Sequence, residues 1–282
     1  MTLREAVAEG SRSIGAAFPE SPFLDASLLL ASVLGCGRDR VLALLPDGLP
    51  LESLLLYRGL VARRARGEPL AYLTGEKEFY GRSFLVDERA LIPRPETELL
   101  VESALLALPP VSPSGPRLRA HDGFTGSGCV GISIAAERPD LDMSLSDYSA
   151  DALKLCERNC LALLGVALPM EIGSVLSAAR GPLDLITANP PYVTSDLSDC
   201  IRAGGNTEPR DALDGGPDGL AFYAPLAAEA WALLAPGGTL AAEIGDEQGE
   251  AVRAIYAKQG FKDLRVLRDL AGHDRVALGV RP

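Results

Sequence analysis

Histidine is scarce here: two in 282 residues, too few for most zinc sites. The five cysteines (Cys36, Cys129, Cys156, Cys160 and Cys200) are odd in number and contain no C-x-x-C pair. That pattern predicts no metal centre, and unpaired thiols suit a reducing cytoplasm. No apolar run reaches the roughly 18 residues that a membrane-crossing helix needs. The first residues, MTLREAVAEG, lack the charged-then-apolar pattern of a secretion signal. Positive charge is also short, with 27 Lys and Arg against 38 Asp and Glu, a net charge of -11. A protein that holds nucleic acid stably needs the opposite balance, so neither nucleic acid nor membrane is an expected partner. Arg58, Arg63, Arg64 and Arg66 cluster locally, and such clusters are usually solvated helix faces.

What is present is an ordinary globular composition, 47% hydrophobic and 23% charged, long enough for one large domain or two modest ones. Residues 1–75 read as helices only. Thr2 with Glu5 fits a capping box, and Ser21-Pro22 opens a second helix that Gly35 closes. Two more are expected over 38–45 and 51–66. Residues 78–92 read as a short hairpin turning at Gly81-Arg82, followed by a helix from Pro95 to about Leu108. PPVSPSGP, at 109–116, is the clearest boundary signal. Beyond it, strands are expected at 117–122, 142–147, 168–175, 183–188, 239–244, 261–267 and 275–280. Helices near 127–138, 149–164, 219–235 and 247–259 fall between them. That alternation predicts an α/β fold with a parallel sheet and an antiparallel edge made by the last two strands.

The first of those strands runs into Asp122-Gly-Phe-Thr-Gly-Ser-Gly-Cys-Val-Gly131, which opens a helix. Glycines at such a turn admit a ligand close to backbone, and the helix N-terminus offers free N–H groups. Gly126, Gly128 and Gly131 match the dinucleotide fingerprint G-x-G-x-x-G, with Asp147 placed for a ribose. S-adenosyl-L-methionine sites use the same geometry, so the loop by itself leaves NAD and adenosylmethionine both open. Asp147 also has a plain reading, as a cap for the helix that follows.

Residues 183–192, LDLITANPPY, end an apolar strand directly in Asn189-Pro190-Pro191-Tyr192, at the sheet edge where α/β folds bind ligands. Two prolines cannot continue a central strand. They lack N–H donors and hold φ fixed, so the loop offers carbonyl oxygens on a rigid backbone. With the Asn189 side-chain oxygen, that makes two acceptors suited to the two hydrogens of one –NH2 group. Held so, a planar nitrogen can present its lone pair to an electrophilic methyl, and positioning supplies most of the acceleration. Tyr192 is expected to wall the planar group.

Several blocks resemble a known family, the protein-(glutamine-N5) methyltransferases that modify peptide-chain release factors. They are LAYLTGEKEFYGRSFLV (70–86), LIPRPETELLVE (91–102), the TGSG loop, DLITANPPYV (184–193), EPRDALDGGPDGLAFY (208–223) and DLAGHDRVALG (269–279). The resemblance covers nearly the whole chain. It implies a seven-stranded Rossmann-like methyltransferase sheet, with a helical domain over 1–75, a β-hairpin linker over 76–93 and a catalytic domain over 94–282. It implies S-adenosyl-L-methionine as cofactor and the glutamine of the Gly-Gly-Gln motif in class I release factors as substrate. Asn189, Pro190, Pro191 and Tyr192 then bind and activate the glutamine. Phe124, Thr125, Gly126, Ser127 and Gly128 form the methionine-end loop, Asp147 holds the ribose, Val175 lies against the adenine, and Asn189 also lies near the cofactor. The N-terminal helices dock the release factor. The chain departs from the family at Phe124 and Gly123, where small residues and a small apolar residue are usual, at Ser174, where an acid is common, and at His121, where an apolar residue is usual. Phe124 is expected to turn its ring away from the ligand, into the flank of the loop. Two rival readings are a nucleic-acid amino-group methyltransferase and a non-catalytic binding module whose cofactor loop has decayed.

Overall fold

The computed structural model describes residues 1–18, 20–111 and 116–282. The centre of the Pro/Ser segment at 109–116 lies outside the described residues. Contacts divide the chain into two compact units. The first holds Met1–Glu76 together with Cys200–Thr207. Its helices are α1 (Leu3–Gly15), α2 (Pro22–Leu34), α3 (Arg38–Ala43), α4 (Leu51–Arg64) and α5 (Leu70–Thr74). α1 opens on the capping box: Glu5 N–H donates to Thr2 Oγ1 at 3.2 Å, and Thr2 N–H donates to the Glu5 carboxylate at 2.8 Å. Leu3, Ala6, Val7, Gly10 and Ile14 recur at helical spacing on its buried face. They pack with Leu29 and Leu30 of α2 and Tyr57 and Val61 of α4. Arg58, Arg63 and Arg64 of the basic cluster are each paired, with Glu9, Glu68 and Asp25. The segment 200–207 joins this unit through Gly67, where a Cβ would come within 3.2 Å of the Gly205 carbonyl oxygen. Nothing in the sequence marked that return.

The second unit, Lys77–Asp199 with Glu208–Pro282, opens within the hairpin β1 (Glu76–Phe79) and β2 (Arg82–Leu85), which turns on Tyr80-Gly81, one residue before the expected corner. A 3-10 turn over Pro95–Thr97 precedes α6 (Glu98–Ala107). Then follow β3 (Arg119–Gly123), α7 (Cys129–Glu137), β4 (Asp142–Asp147), α8 (Ala150–Leu164), β5 (Met170–Ile172), β6 (Leu183–Ala188), α9 (Ser195–Ala203), α10 (Tyr223–Leu233), β7 (Leu234–Glu243), α11 (Gly249–Gln259), β8 (Lys262–Arg268) and β9 (Asp274–Val280). The seven-stranded sheet has the order β5-β4-β3-β6-β7-β9-β8. Only β9 runs against the common direction of the other six strands, inserting between β7 and β8.

Alternate residues of the sheet serve two cores. Ala120, Leu145, Leu185 and Leu278 face α6, α7 and α8, while Ile186, Leu240, Ala242 and Ala277 face α10 and α11. His121 points to the second face and is buried. Its ring nitrogens lie 2.9 and 2.8 Å from the Ser144 and Ser146 hydroxyls, and burial pushes its pKa down to about 4. A neutral ring with both nitrogens bonded sits in a strand almost as an apolar residue would. β5 is shorter than the expected 168–175 and leaves Val175 outside it, at a φ of 55°. β7 begins five residues before the expected Thr239, directly on the end of α10. β3 and β6 run parallel, and the order in which strands are laid down turns from one side of the sheet to the other between them; their ends pair as Gly123 with Ala188. This switch point sets the glycine loop and the Asn-Pro-Pro-Tyr loop side by side. Among the described residues no helix is long and apolar enough to cross a membrane, and no cluster of His, Cys, Asp or Glu could hold a metal ion.

Candidate active site

A cavity of about 570 Å³ opens at the carboxyl ends of β3, β4 and β6. Phe124, Thr125, Gly126, Ser127, Asp147, Val175, Asn189 and Pro191 line it, as does Ser174. Gly128, Pro190 and Tyr192 are not on its wall.

Gly128 is off the wall because it packs inward. Its φ is 87°, and a Cβ there would lie 2.5 Å from Ile132 and 2.6 Å from Cys156. The loop above it is held by two carboxylates. Asp122, fully buried at the end of β3, accepts from the Thr125 hydroxyl at 2.6 Å, the Thr187 hydroxyl at 2.7 Å and the Gly131 N–H at 3.2 Å. Burial raises its pKa to about 6, against those three hydrogen bonds, which lower it. Asp147 accepts from the Gly126 N–H and the Ser149 N–H, both at 2.8 Å. The cap of α8 is Ser149, whose hydroxyl accepts from Ala152 N–H. Asp147 is thus free of the capping role and fastens the glycine loop to β4.

Phe124 adopts a φ of 56°, which a phenylalanine does not reach cheaply. Its ring meets Phe222 edge-on, with centroids 5.5 Å apart, and packs on the second core while still forming part of the cavity wall. Replacing it with glycine relieves the φ strain, about 1 kcal/mol, but removes that packing. Phe124→Gly is expected to lower stability by about 1–3 kcal/mol in chemical denaturation. Calorimetry should find cofactor affinity changed by less than about tenfold, since the ring mainly serves the core. A tightening beyond tenfold would show that the ring obstructs the ligand.

The substrate-side loop is organised by a residue that sequence reasoning missed. Glu243, at the end of β7, is 1% exposed. One of its oxygens accepts from Asn189 Nδ2 at 3.1 Å and the other from the Tyr192 hydroxyl at 3.1 Å. The Thr97 hydroxyl also donates to it, and burial raises its pKa against these bonds. Tyr192 is therefore not a free wall: its hydroxyl is tied to Glu243, its carbonyl accepts from Gln248 Nε2 at 3.0 Å, and its ring packs on the second core. The Pro191 carbonyl is covered, since a Cβ on Gly215 would lie 2.6 Å from it. No described residue donates to the Pro190 carbonyl or to Asn189 Oδ1. Buried Glu208 accepts from the Ile92 N–H at 3.0 Å and from Arg94 at 2.5 Å, joining the LIPRPET and EPRDALDGG blocks, both of which contribute residues to the cavity wall. Glu243 left no signal in the sequence beyond lying in a string of small and apolar residues, and Glu208 stood only as the first residue of the EPRDALDGG block, with nothing to mark it as buried.

A seven-stranded sheet in this order, with a glycine loop and an acidic strand end on one cavity, defines a Rossmann-like methyltransferase. Residues 5–75 match the family described as the PrmC N-terminal domain, and residues 112–201 match the methyltransferase small domain. A release factor glutamine methyltransferase of Moorella thermoacetica is 39% identical, covering 100% of this chain and 99% of its own. One of Neisseria gonorrhoeae is 40% identical over 92% of this chain and 93% of its own. A methyltransferase of Pyrococcus furiosus has a TM-score of 0.52 at 18% identity, over 72% of this chain and 90% of that one, a likeness of fold. The chain belongs to the release factor glutamine methyltransferase family.

Proposed function

We propose that this protein transfers a methyl group from S-adenosyl-L-methionine to the side-chain amide nitrogen (N5) of the glutamine in the Gly-Gly-Gln motif of class I release factors. The observation that carries the reading is the state of Asn189: its Nδ2 is held by Glu243, which leaves Oδ1 as an acceptor on the cavity wall. The Pro190 carbonyl, next in the chain and without a donor among the described residues although Pro190 itself is off the cavity wall, is the second of the two acceptors that one primary amide needs. The residues fit the cofactor. The cavity is of nucleotide-ligand size, Gly126 and Gly128 hold φ values of 55° and 87°, and the Asp147 carboxylate, which accepts from the Gly126, Ser149 and Tyr148 N–H groups, keeps acceptor capacity for a ribose hydroxyl. When bound, S-adenosyl-L-methionine supplies a methyl group on a sulfonium, open to in-line displacement.

The chain's own residues do the rest. Asn189 and Pro190 take both amide hydrogens and hold the nitrogen in place of its flat resonance geometry, and positioning contributes most of the acceleration. The buried Glu243 carboxylate behind Asn189 favours the positive charge that develops on nitrogen. Phe124 to Ser127, Asp147, Val175 and Asn189 hold the cofactor, and Gly128 supports their loop from beneath. Residues 1–75 dock the release factor, and the cytoplasm is where such a substrate is met. Mass spectrometry of a recombinant release factor after incubation with the protein and cofactor tests the reading. One methyl on the Gly-Gly-Gln glutamine is expected, and methylation of DNA or RNA instead would refute it.

Asp147→Ala is expected to weaken cofactor binding by about 10- to 100-fold, the size of a lost hydrogen bond to a charged acceptor. Isothermal calorimetry with S-adenosyl-L-methionine reads this directly, and unchanged affinity would take the ribose away from Asp147.

A further inference from the structure

Both ends of the Asn189 amide have nearly the same shape, so packing does not decide which end faces the cavity. Hydrogen bonding does. Turned one way the side chain offers an acceptor to a substrate –NH2. Turned the other way it offers two more donors, and the grip is lost. We propose that Glu243 is a positioning residue that fixes this choice, an inference resting on the glutamine reading above.

The sheet puts it there. Ala188 of β6 pairs with Ala242 of β7, so one step further Asn189 lies beside Glu243. The carboxylate is buried, and three donors converge on it: Asn189 Nδ2 at 3.1 Å, the Tyr192 hydroxyl at 3.1 Å and the Thr97 hydroxyl. An ionised carboxylate only accepts, so it takes the NH2 end of Asn189 and leaves Oδ1 to the cavity. A neutral group in its place would accept from Asn189 in one orientation and donate to it in the other. The backbone of the loop is fixed by other means. Gln248 holds the Tyr192 carbonyl at 3.0 Å, Val193 N–H donates to the Leu213 carbonyl at 3.0 Å, and Gly215 N–H donates to the Val193 carbonyl at 2.7 Å. What remains for Glu243 is the orientation of the amide.

The test exchanges the two chemistries. Glu243→Gln removes the obligate acceptor, and is expected to lower kcat by about 10- to 100-fold, with affinity for S-adenosyl-L-methionine held within about twofold. Asn189→Asp sets two carboxylates against each other and is expected to lose activity at about pH 8, where they repel. The double variant restores the complementarity in reverse. The new amide at 243 donates to the new carboxylate at 189, which always has a second oxygen for the cavity. Its kcat is expected to exceed that of either single variant by about tenfold or more, a coupling that a merely structural role would not produce. If Glu243→Gln does not fold, the comparison runs between Asn189→Asp and the double variant, and recovery is still required. A Glu243→Gln enzyme with wild-type kcat, or a double variant no better than Asn189→Asp, overturns the proposal. Wild-type protein that fails to methylate the release factor would overturn the glutamine reading itself, and is told apart by that control.

Discussion

Replacing Asn189 with alanine is expected to lower kcat for release-factor methylation by about 10²–10³-fold, the cost of removing one preorganised partner from a reacting group. An amide nitrogen is a poor nucleophile because its lone pair is delocalised, so the reaction depends on being held more than a readier nucleophile would. Asn189 Oδ1 and the Pro190 carbonyl share that task, and only the first is open to mutation, since every residue at 190 keeps its carbonyl. The cost to stability should be smaller. Glu243 loses one of its three donors while keeping Thr97 and Tyr192, which puts the loss at about 1–3 kcal/mol. Methyl incorporation measured by mass spectrometry over time, alongside chemical denaturation, separates the two effects. Methylation at the wild-type rate in Asn189→Ala would remove the side chain from the mechanism and leave the carbonyl to act alone.

The parts of this site that are legible in sequence are those where the backbone itself must be unusual. Consecutive prolines at a strand end, and glycines at a strand-to-helix turn, follow from φ values and missing donors, and these are properties of single residues. The alternation of strands and helices is legible for the same reason, because burial on one or two faces sets a period. Glu243 and Glu208 are different. Each is a carboxylate in a buried position, and what makes it tolerable is a set of donors between 30 and 150 residues away in the chain, Asn189 and Thr97 for one, Ile92 and Arg94 for the other. No local pattern encodes that pairing, which arises only from sheet order. His121 makes the same point. It interrupts an apolar strand, and its acceptability depends on Ser144 and Ser146 lying beside it on β4. β5 stops short of the expected 168–175 because the residues after Ile172 turn to bring Val175 to the cavity, and no local pattern distinguishes that turn from a longer strand. The return of 200–207 to the helical unit was invisible for a related reason, since two glycines in close approach, Gly67 and Gly205, carry no side-chain signal.

The second large effect is expected at Asp122. Asp122→Ala strands the Thr125 and Thr187 hydroxyls and the Gly131 N–H in a buried site. At about 1–3 kcal/mol for each orphaned group that relaxation fails to satisfy, stability should fall by several kcal/mol, and cofactor binding should disappear with the loop. Asp122→Asn distinguishes shape from charge. One oxygen of Asp122 serves both Thr125 and Gly131 and must stay an acceptor, but the other serves only Thr187, whose hydroxyl can rotate to accept from an amide. The asparagine variant is therefore expected to fold and to bind cofactor within about tenfold of wild type. The charge has a separate signature. The folded pKa of about 6 lies above the usual 3.8, so between those values the folded protein binds more protons than the unfolded chain. Wild-type stability relative to Asp122→Asn should then rise as pH falls from 7 towards 4, because the variant has nothing to protonate there. Urea denaturation of both proteins across that range measures the difference. A gap that does not change with pH would mean that Asp122 has an ordinary pKa in the folded protein. An asparagine variant as damaged as the alanine one would mean that the loop depends on the negative charge and not on the pattern of acceptors.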